Sequence, residues 1–141
     1  MIYLLDTNAL TRLARGADSA ISQKVEENVL NCRMSAVAWF ELQYGAARSP
    51  NQERAVPRLK FLRSLIPAIE EFDGHAAQRA AEVRASLEAM RPNAQPIGPY
   101  DVLLAGHALA LGAVFVTHNT REFSRVSGLS TEDWQSRGQA R

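Results

Sequence analysis

One cysteine in 141 residues rules out any disulfide within the chain, because Cys32 has no second thiol to meet. That scarcity suits a reducing compartment. Histidine is almost as rare. His75, His107 and His118 are widely scattered, and with a lone thiol they offer no zinc-ligand spacing. Lysine is rarer still: only Lys24 and Lys60 among 16 basic residues, the rest being arginine, for a net charge of +1. A balance so near neutrality does not announce a nucleic-acid binder. Arginine forks match phosphate geometry, but they serve buried ion pairs equally well, so the bias alone decides nothing. Long apolar runs are missing too. Ile2-Tyr3-Leu4-Leu5 stops at Asp6, short of the roughly 7–15 residues in the core of a signal peptide. Val102 to Leu111, interrupted by Gly106 and His107, falls well below the ~20 residues that span a bilayer. The expectation is a soluble, cytoplasmic protein.

What is present is an ordinary globular composition, 46% hydrophobic, in a length that suits one core. A single domain over residues 1–134 is expected, with a frayed tail from 135 to 141. Short β-like runs alternate with helical stretches. Ile2–Leu5 reads as a buried strand. A helix through Leu10 and Leu13 follows and stops at Gly16. Asp18 or Ser19 caps a second helix with Ile21, Val25 and Val29 on one face. Cys32–Ser35 is a second strand, and a helix from about Ala36 to Arg48 ends before Ser49-Pro50. Val56, Leu59, Leu62 and Ile66 keep helical period, with Pro57 starting or kinking that helix. Ala68–Phe72 reads as a third strand. Asp73 caps a helix whose inner face carries Ala76, Ala80, Val83, Leu87 and Met90. Arg91 to Gly98 is a breaker-rich loop. A helix from Pro99 stops at Gly112, Val114–Thr117 forms a fourth strand, and a short helical turn and an edge strand precede Trp134. Alternation of this kind implies an α/β fold. A parallel sheet of four to five strands is covered by helices on both faces, and ligands gather beyond the carboxyl ends of its strands.

Asp6 follows the first strand directly, and Asn119 stands just past the fourth, so both belong to the same sheet edge. Asp6 reads equally as a plain helix cap. Glu41 lies near the start of the third helix, among Val37, Tyr44 and Gly45 on an apolar face. It is either a solvated glutamate or one aligned with a cleft. Asp101 opens a helix that is apolar nearly all round, with Leu104, Ala105 and Ala108 on its own face. First-turn capping is one reading, favoured by the helix dipole. The other is a buried carboxylate that needs a cation or several donors. No lysine or arginine is near these acids in sequence. If the three converge, a divalent ion relieves their repulsion best, and hard carboxylate oxygens suit Mg²⁺ or Mn²⁺.

The same residues carry a resemblance. Tyr3-Leu4-Leu5-Asp6-Thr7-Asn8, Glu41-Leu42-Gln43-Tyr44-Gly45, Ile97-Gly98-Pro99-Tyr100-Asp101 running into Ala105-Gly106-His107-Ala108, and Thr117-His118-Asn119-Thr120-Arg121-Glu122-Phe123 stand in the order found in the VapC toxins. These are the PIN-domain ribonucleases of bacterial toxin–antitoxin pairs. Arg125-Val126-Ser127-Gly128-Leu129 and Glu132-Asp133-Trp134 extend the likeness over nearly the whole chain. The resemblance implies a PIN fold with an acidic groove at one sheet edge. In it Asp6 and Asp101 hold the metal and Glu41 serves as a further acid. Many PIN domains have a fourth aspartate where this chain has Asn119; related toxins share the asparagine, with an acid at the position of Glu122. The resemblance leaves Asn119 to metal-bound water or substrate and gives Glu122 a secondary place near the metal. Thr7, Asn8 and Arg121 are placed for substrate contact. The implied partners are RNA, often transfer RNA, a VapB-type antitoxin, and a second copy of the chain within a larger complex.

The chemistry that follows is hydrolysis of a phosphodiester by metal-activated water, with Glu41 or another acid orienting the water or taking its proton. Two other classes of function share parts of this pattern. A phosphoaspartate phosphatase wants a second aspartate two residues after the first, where this chain has Asn8, and a receiver domain wants a late lysine. A non-catalytic module that kept the fold for binding an antitoxin is the other alternative. His107, among Leu103, Ala110 and Leu111, reads as a satisfied core histidine. His118 and Arg125 lie near the predicted groove, where either a phosphate contact or a solvated face suits them. Trp39 and Phe40 read as packing or interface residues, and Trp134 as a residue that closes the core.

Overall fold

Val116, Leu5 and Met34 come to lie side by side because the strands that carry them are too short and too apolar to stand alone. The computed structural model describes residues 1–90 and 97–136. Among the described residues five strands form one all-parallel sheet in the order β3-β2-β1-β4-β5. They are β1 (Tyr3–Leu5), β2 (Cys32–Ser35), β3 (Ile69–Glu70), β4 (Val114–Val116) and β5 (Thr131–Glu132). Tyr3 pairs with both Cys32 and Val114, and Leu5 with Val116. The order reverses between β1 and β4, so this pair flanks the switch point, where a crevice opens in such sheets.

The helices are α1 (Thr7–Arg15), α2 (Ser19–Glu27), α3 (Ala36–Ala47), α4 (Gln52–Leu65), α5 (Gly74–Ala89), α6 (Pro99–Leu111) and α7 (Thr120–Phe123). Right-handed crossovers carry the chain outward from β1 to β3 over one face and back to β4 over the other. Packing follows that division: α1 touches α2, α3 and α4, while α5 lies along α6. At Gly106 the two partners are so close that a Cβ would fall 2.3 Å from the Ala80 Cα. The α3 helix also reaches α6, and Phe40 meets Tyr100 there with ring centroids 5.8 Å apart. No helix among the described residues is long and apolar enough to cross a membrane.

Several expectations need correction. Asp18, not Ser19, caps α2, accepting from Ala20 and Ile21 N–H. That helix ends at Glu27, so Val29 starts a separate 3₁₀ turn, Val29–Asn31, and does not extend the buried face. Pro57 does not start α4, which begins five residues earlier at Gln52 behind an Asn51 cap; the ring sits inside the helix, exposed to solvent. Met90 caps the end of α5 and is 39% exposed, one step past its inner face. The third strand shrinks to Ile69–Glu70. Of the expected loop, residues 91–96 lie outside the described residues. Of the tail expected to fray, Ser136 donates its N–H and hydroxyl to the buried Asp18 carboxylate, while residues 137–141 lie outside the described residues.

The core expectations that hold do so for visible reasons. Trp134 is buried, its ring 5.0 Å from that of Tyr3 and its Nε1–H bonded to Glu132. His107 is buried with Nδ1 at 2.9 Å from Ser35 Oγ. Ser35 Oγ already accepts from Val37 N–H as the cap of α3, so its own hydrogen is free for the imidazole. Burial holds the His107 pKa below its ordinary value, opposed by the charges of Glu70 and Asp73 and by the Glu71 backbone. The ring is neutral and structural, tying α6 to the start of α3.

Candidate active site

Asp6 leaves the sheet at the end of β1, with its N–H donating to Val116 O of β4 at 3.0 Å. The side chain caps α1, Oδ1 accepting from Ala9 N–H at 2.7 Å, and the residue is only 4% exposed. The capping turn fixes the carboxylate at the carboxyl edge of the sheet, so the cap does not exclude a place for Asp6 in a site. Burial pushes its pKa up. Hydrogen bonds from Ala9 N–H and the Thr117 hydroxyl oppose this, and the charge of Glu41 adds to it.

Thr117 is the residue that sequence reasoning passed over. It is buried at the end of β4, one step beyond the pair Leu5 and Val116, hence beside Asp6. Its hydroxyl reaches Asp6 and also accepts the Asn119 N–H at 3.1 Å, so it joins the two strand ends. The signal was available. Two parallel strands with Asp and Thr at equivalent positions past their last apolar residues bring those side chains together.

Glu41 arrives from α3. Its Oε1 accepts the Thr7 hydroxyl at 2.6 Å, which ties the first turn of α1 to α3. Thr7 therefore reaches the site through the hydroxyl it donates to Glu41. Asp101 arrives from the first turn of α6. The structure gives Asp101 no capping bond, since the α6 cap is Gly98 without a side-chain donor or acceptor. Its pKa is pushed up to about 6 by burial first, and then by the charges of Asp6, Glu41 and Glu122. Asp101 therefore feels three other acids brought from elsewhere in the chain to this edge: Asp6 after β1, Glu41 in α3 and Glu122 in α7.

The remaining candidates sit at the rim. Asn119 begins α7 without a side-chain capping bond, and it is exposed. Asn8 and Arg121 are exposed, and neither side chain is hydrogen-bonded among the described residues. His118 is exposed and paired through Nδ1 with Asp133 Oδ2 at 3.0 Å, and a protonated imidazole at this position favours ionised Asp6. Arg125 turns inward: Nε donates to Glu122 O, and Nη2 is buried with no hydrogen-bond partner among the described residues.

Among the described residues no three His, Cys, Asp or Glu side chains close on a common point to grip one ion. The donor set still fits a hard divalent cation. Carboxylates that repel one another, two of them held up in pKa, gain from a positive charge between them. Mg²⁺ in particular keeps several of its waters and takes only one or two carboxylates directly, so it suits acids spaced too widely to chelate.

Comparison with known proteins bears on the same edge. A family model described as PIN domain matches residues 3–129. The chain is 36% identical over 132 residues to a protein of Shigella flexneri named tRNA(fMet)-specific endonuclease VapC, covering 94% of this chain and 97% of that one. It is 32% identical over 139 residues to Ribonuclease VapC1 of Haemophilus influenzae, covering 95% and 98%. Among solved structures it is similar to a chain of VapBC2 from Rickettsia felis bound to a promoter DNA fragment, with TM-score 0.86, 30% identity and 96% and 100% coverage. It is also similar to a chain of DNA-bound VapBC from Salmonella typhimurium, with TM-score 0.85, 33% identity and 95% and 98% coverage.

Proposed function

Since the chain belongs to the PIN-domain family and, within it, to the VapC ribonucleases, we propose that it is the toxin of a toxin–antitoxin pair. In this reading it is a metal-dependent endoribonuclease that acts in the cytoplasm on structured RNA, transfer RNA above all. The observation that carries the reading is the mutual charge of Asp6, Glu41, Asp101 and Glu122 at the carboxyl edge of β1 and β4. A fold can tolerate one such acid as a cap. Four without a lysine or arginine bonded to their side chains among the described residues ask for an external cation.

Asp6 and Asp101 are the residues to hold Mg²⁺ or Mn²⁺, with Glu41 beside them and Glu122 as a further negative charge. When bound, the ion lowers the pKa of a water and stabilises negative charge on the phosphoryl group and leaving oxygen. Asp6 is fixed by Ala9 N–H and Thr117, so it meets the ion without reorganising. Glu41 keeps Oε1 on Thr7 and has Oε2 left to orient a water and take its proton. Asn119 and Arg121, both exposed, are hydrogen-bond and charge partners for phosphate in this reading. The partner is a VapB-type antitoxin, since the solved relatives are VapBC assemblies.

The test is cleavage of purified transfer RNA by the antitoxin-free chain. Cutting is expected with Mg²⁺ or Mn²⁺, and loss of it in EDTA and in Asp6→Asn or Asp101→Asn. Asparagine keeps the capping geometry of Asp6, so a folded Asp6→Asn that still cuts would return this residue to a purely structural role. Expression without antitoxin should arrest growth, and Asp6→Asn should relieve the arrest. RNA left intact by folded, metal-loaded wild type would favour a binding module that has kept only the fold.

A further inference from the structure

Asp133, just past β5, is an acid that the ribonuclease site does not use. Strands β4 and β5 stay in register to their ends: Val116 stands beside Glu132, and Thr117 N–H donates to Glu132 O at 2.9 Å. The next residues along the two chains are His118 and Asp133, and their side chains meet, Nδ1 to Oδ2 at 3.0 Å. The other carboxylate oxygen, Oδ1, accepts Gln135 N–H at 3.0 Å. Trp134, buried against Tyr3 and bonded through Nε1–H to Glu132, holds the same segment on the core. An ionised carboxylate only accepts, so the proton of the His118 bond sits on Nδ1. That fixes the ring and leaves Nε2 without a hydrogen bond among the described residues, on a side chain 60% open to solvent.

An exposed pair of this kind adds little to stability. Its place gives it a use. Asp6 N–H bonds to Val116 O, and Thr117 stands beside Asp6, so His118 follows directly on the acidic edge. Asp6, Glu41, Asp101 and Glu122 make that edge negative, and a protonated His118 is felt at Asp6. A nucleic-acid strand laid there needs donors for its phosphates, and such contacts set its register and orientation. Asp133 on Nδ1, Asp6 nearby and an incoming phosphate all favour the doubly protonated ring, in which Nε2–H is a donor. From this we infer that His118, oriented by Asp133, is a substrate-binding residue that donates Nε2–H to a backbone phosphate of the RNA on the β5 side of the acidic edge. This rests on the ribonuclease reading and adds to it a contact that fixes the strand against the acids. A metal ligand is the less apt role, because the hard ion that suits these carboxylates takes oxygen before imidazole nitrogen. Accepting a 2′-hydroxyl would need the neutral ring, which the two carboxylates disfavour.

The contact is tested on a short RNA that the wild-type chain cuts in Mg²⁺, chosen by digesting transfer RNA. His118→Ala should raise KM by about tenfold, the loss falling on KM and not on kcat. His118→Arg, which supplies a donor and a charge, should restore most of the loss, a rescue that a merely structural role would not show. Asp133→Asn should fall between His118→Ala and wild type. The same RNA is then made with one neutral methylphosphonate at each linkage in turn. At one linkage the substitution should weaken wild type by a similar factor and leave His118→Ala indifferent. Mg²⁺ affinity, read from the metal-dependent shift of the melting midpoint, should be equal in wild type and His118→Ala. An unchanged KM in His118→Ala, Asp133→Asn equal to wild type, or methylphosphonate losses that add to the His118→Ala loss at every linkage would each overturn the proposal. So would weaker Mg²⁺ binding by His118→Ala, or a 2′-deoxy substitution that cancels its difference from wild type. Wild type that cuts no RNA is a separate failure: it removes the ribonuclease reading, and the phosphate contact with it.

Discussion

A carboxylate whose folded pKa lies above its unfolded value costs stability once it is forced to ionise. Asp101 is such a group, raised from 3.8 to about 6 by burial and by its acidic neighbours. The stability it permits is whole below 3.8 and lost as pH rises through about 6. In EDTA at neutral pH, Asp101→Asn should therefore be more stable than wild type by about 1 kcal/mol after solvent screening is allowed for. The gain should vanish in acid, and denaturant melts at the two pH values decide it. An Asp101→Asn variant weaker than wild type at neutral pH would mean that the acids do not repel one another. Thr117 offers the opposite case. Thr117→Val keeps shape and removes the hydroxyl that Asp6 and Asn119 N–H share, at a cost of about 1–3 kcal/mol. It should also depress RNA cleavage without changing the metal required. Unchanged activity would reduce Thr117 to a packing residue.

At the scale of elements, two helices with little sequence amphipathicity have different fates. The α6 helix is apolar and buried, with Gly106 pressed on the backbone of Ala80 in α5. Gly106→Ala asks for space that only a shift of α5 can make, so a loss of about 1–3 kcal/mol is expected, read as a lower midpoint in a urea melt. Because α6 carries Asp101, metal affinity should fall with it. A neutral substitution would show that the helix pair is looser than its spacing implies. The α3 helix is equally apolar but leaves Phe40 and Tyr44 open to solvent, and its composition alone does not distinguish it from α6. Only its position over one sheet face, reaching the other layer through Phe40 and Tyr100, makes that difference.

Across the whole molecule, the chain is closed by one buried acid. Burial pushes the pKa of Asp18 up, but hydrogen bonds from Ser136 and the Arg12 guanidinium hold it well below the usual carboxylate range. A depressed folded pKa means stability present above the unfolded value near 3.8 and lost on acidification below it. Asp18→Ala removes the α2 cap and the anchor of the C-terminal segment together, and should cost about 2–3 kcal/mol at neutral pH. The deficit should narrow in acid, and proteolysis should begin from the C-terminal side. A metal titration is the complementary global measurement. Mg²⁺ or Mn²⁺ at a hundred times its dissociation constant should stabilise wild type by about 2.7 kcal/mol, and Asp101→Asn should lose most of that gain. An equal response in both proteins would separate Asp101 from the ion.

Much of this was legible in the chain itself, because it depends on local chemistry. Alternating apolar runs and capped helices required a parallel α/β sheet, and a carboxylate directly after β1 had to stand at its carboxyl edge. Period and burial marked His107 and Trp134 as core residues, and the ordered acids marked the edge as a site. Other features are products of distance in sequence. Thr117 reaches Asp6 only because β4 crosses back to pair with β1; Thr7 is taken up by Glu41 from 34 residues away; Ser136 meets Asp18 from 118 residues away. Nothing local distinguishes an aspartate that caps a helix from one that also joins two other acids, since both have the same neighbours in the chain. Charge repulsion and desolvation are properties of the assembled edge, and only the tertiary fold brings Asp6, Glu41, Asp101 and Glu122 near enough to feel them.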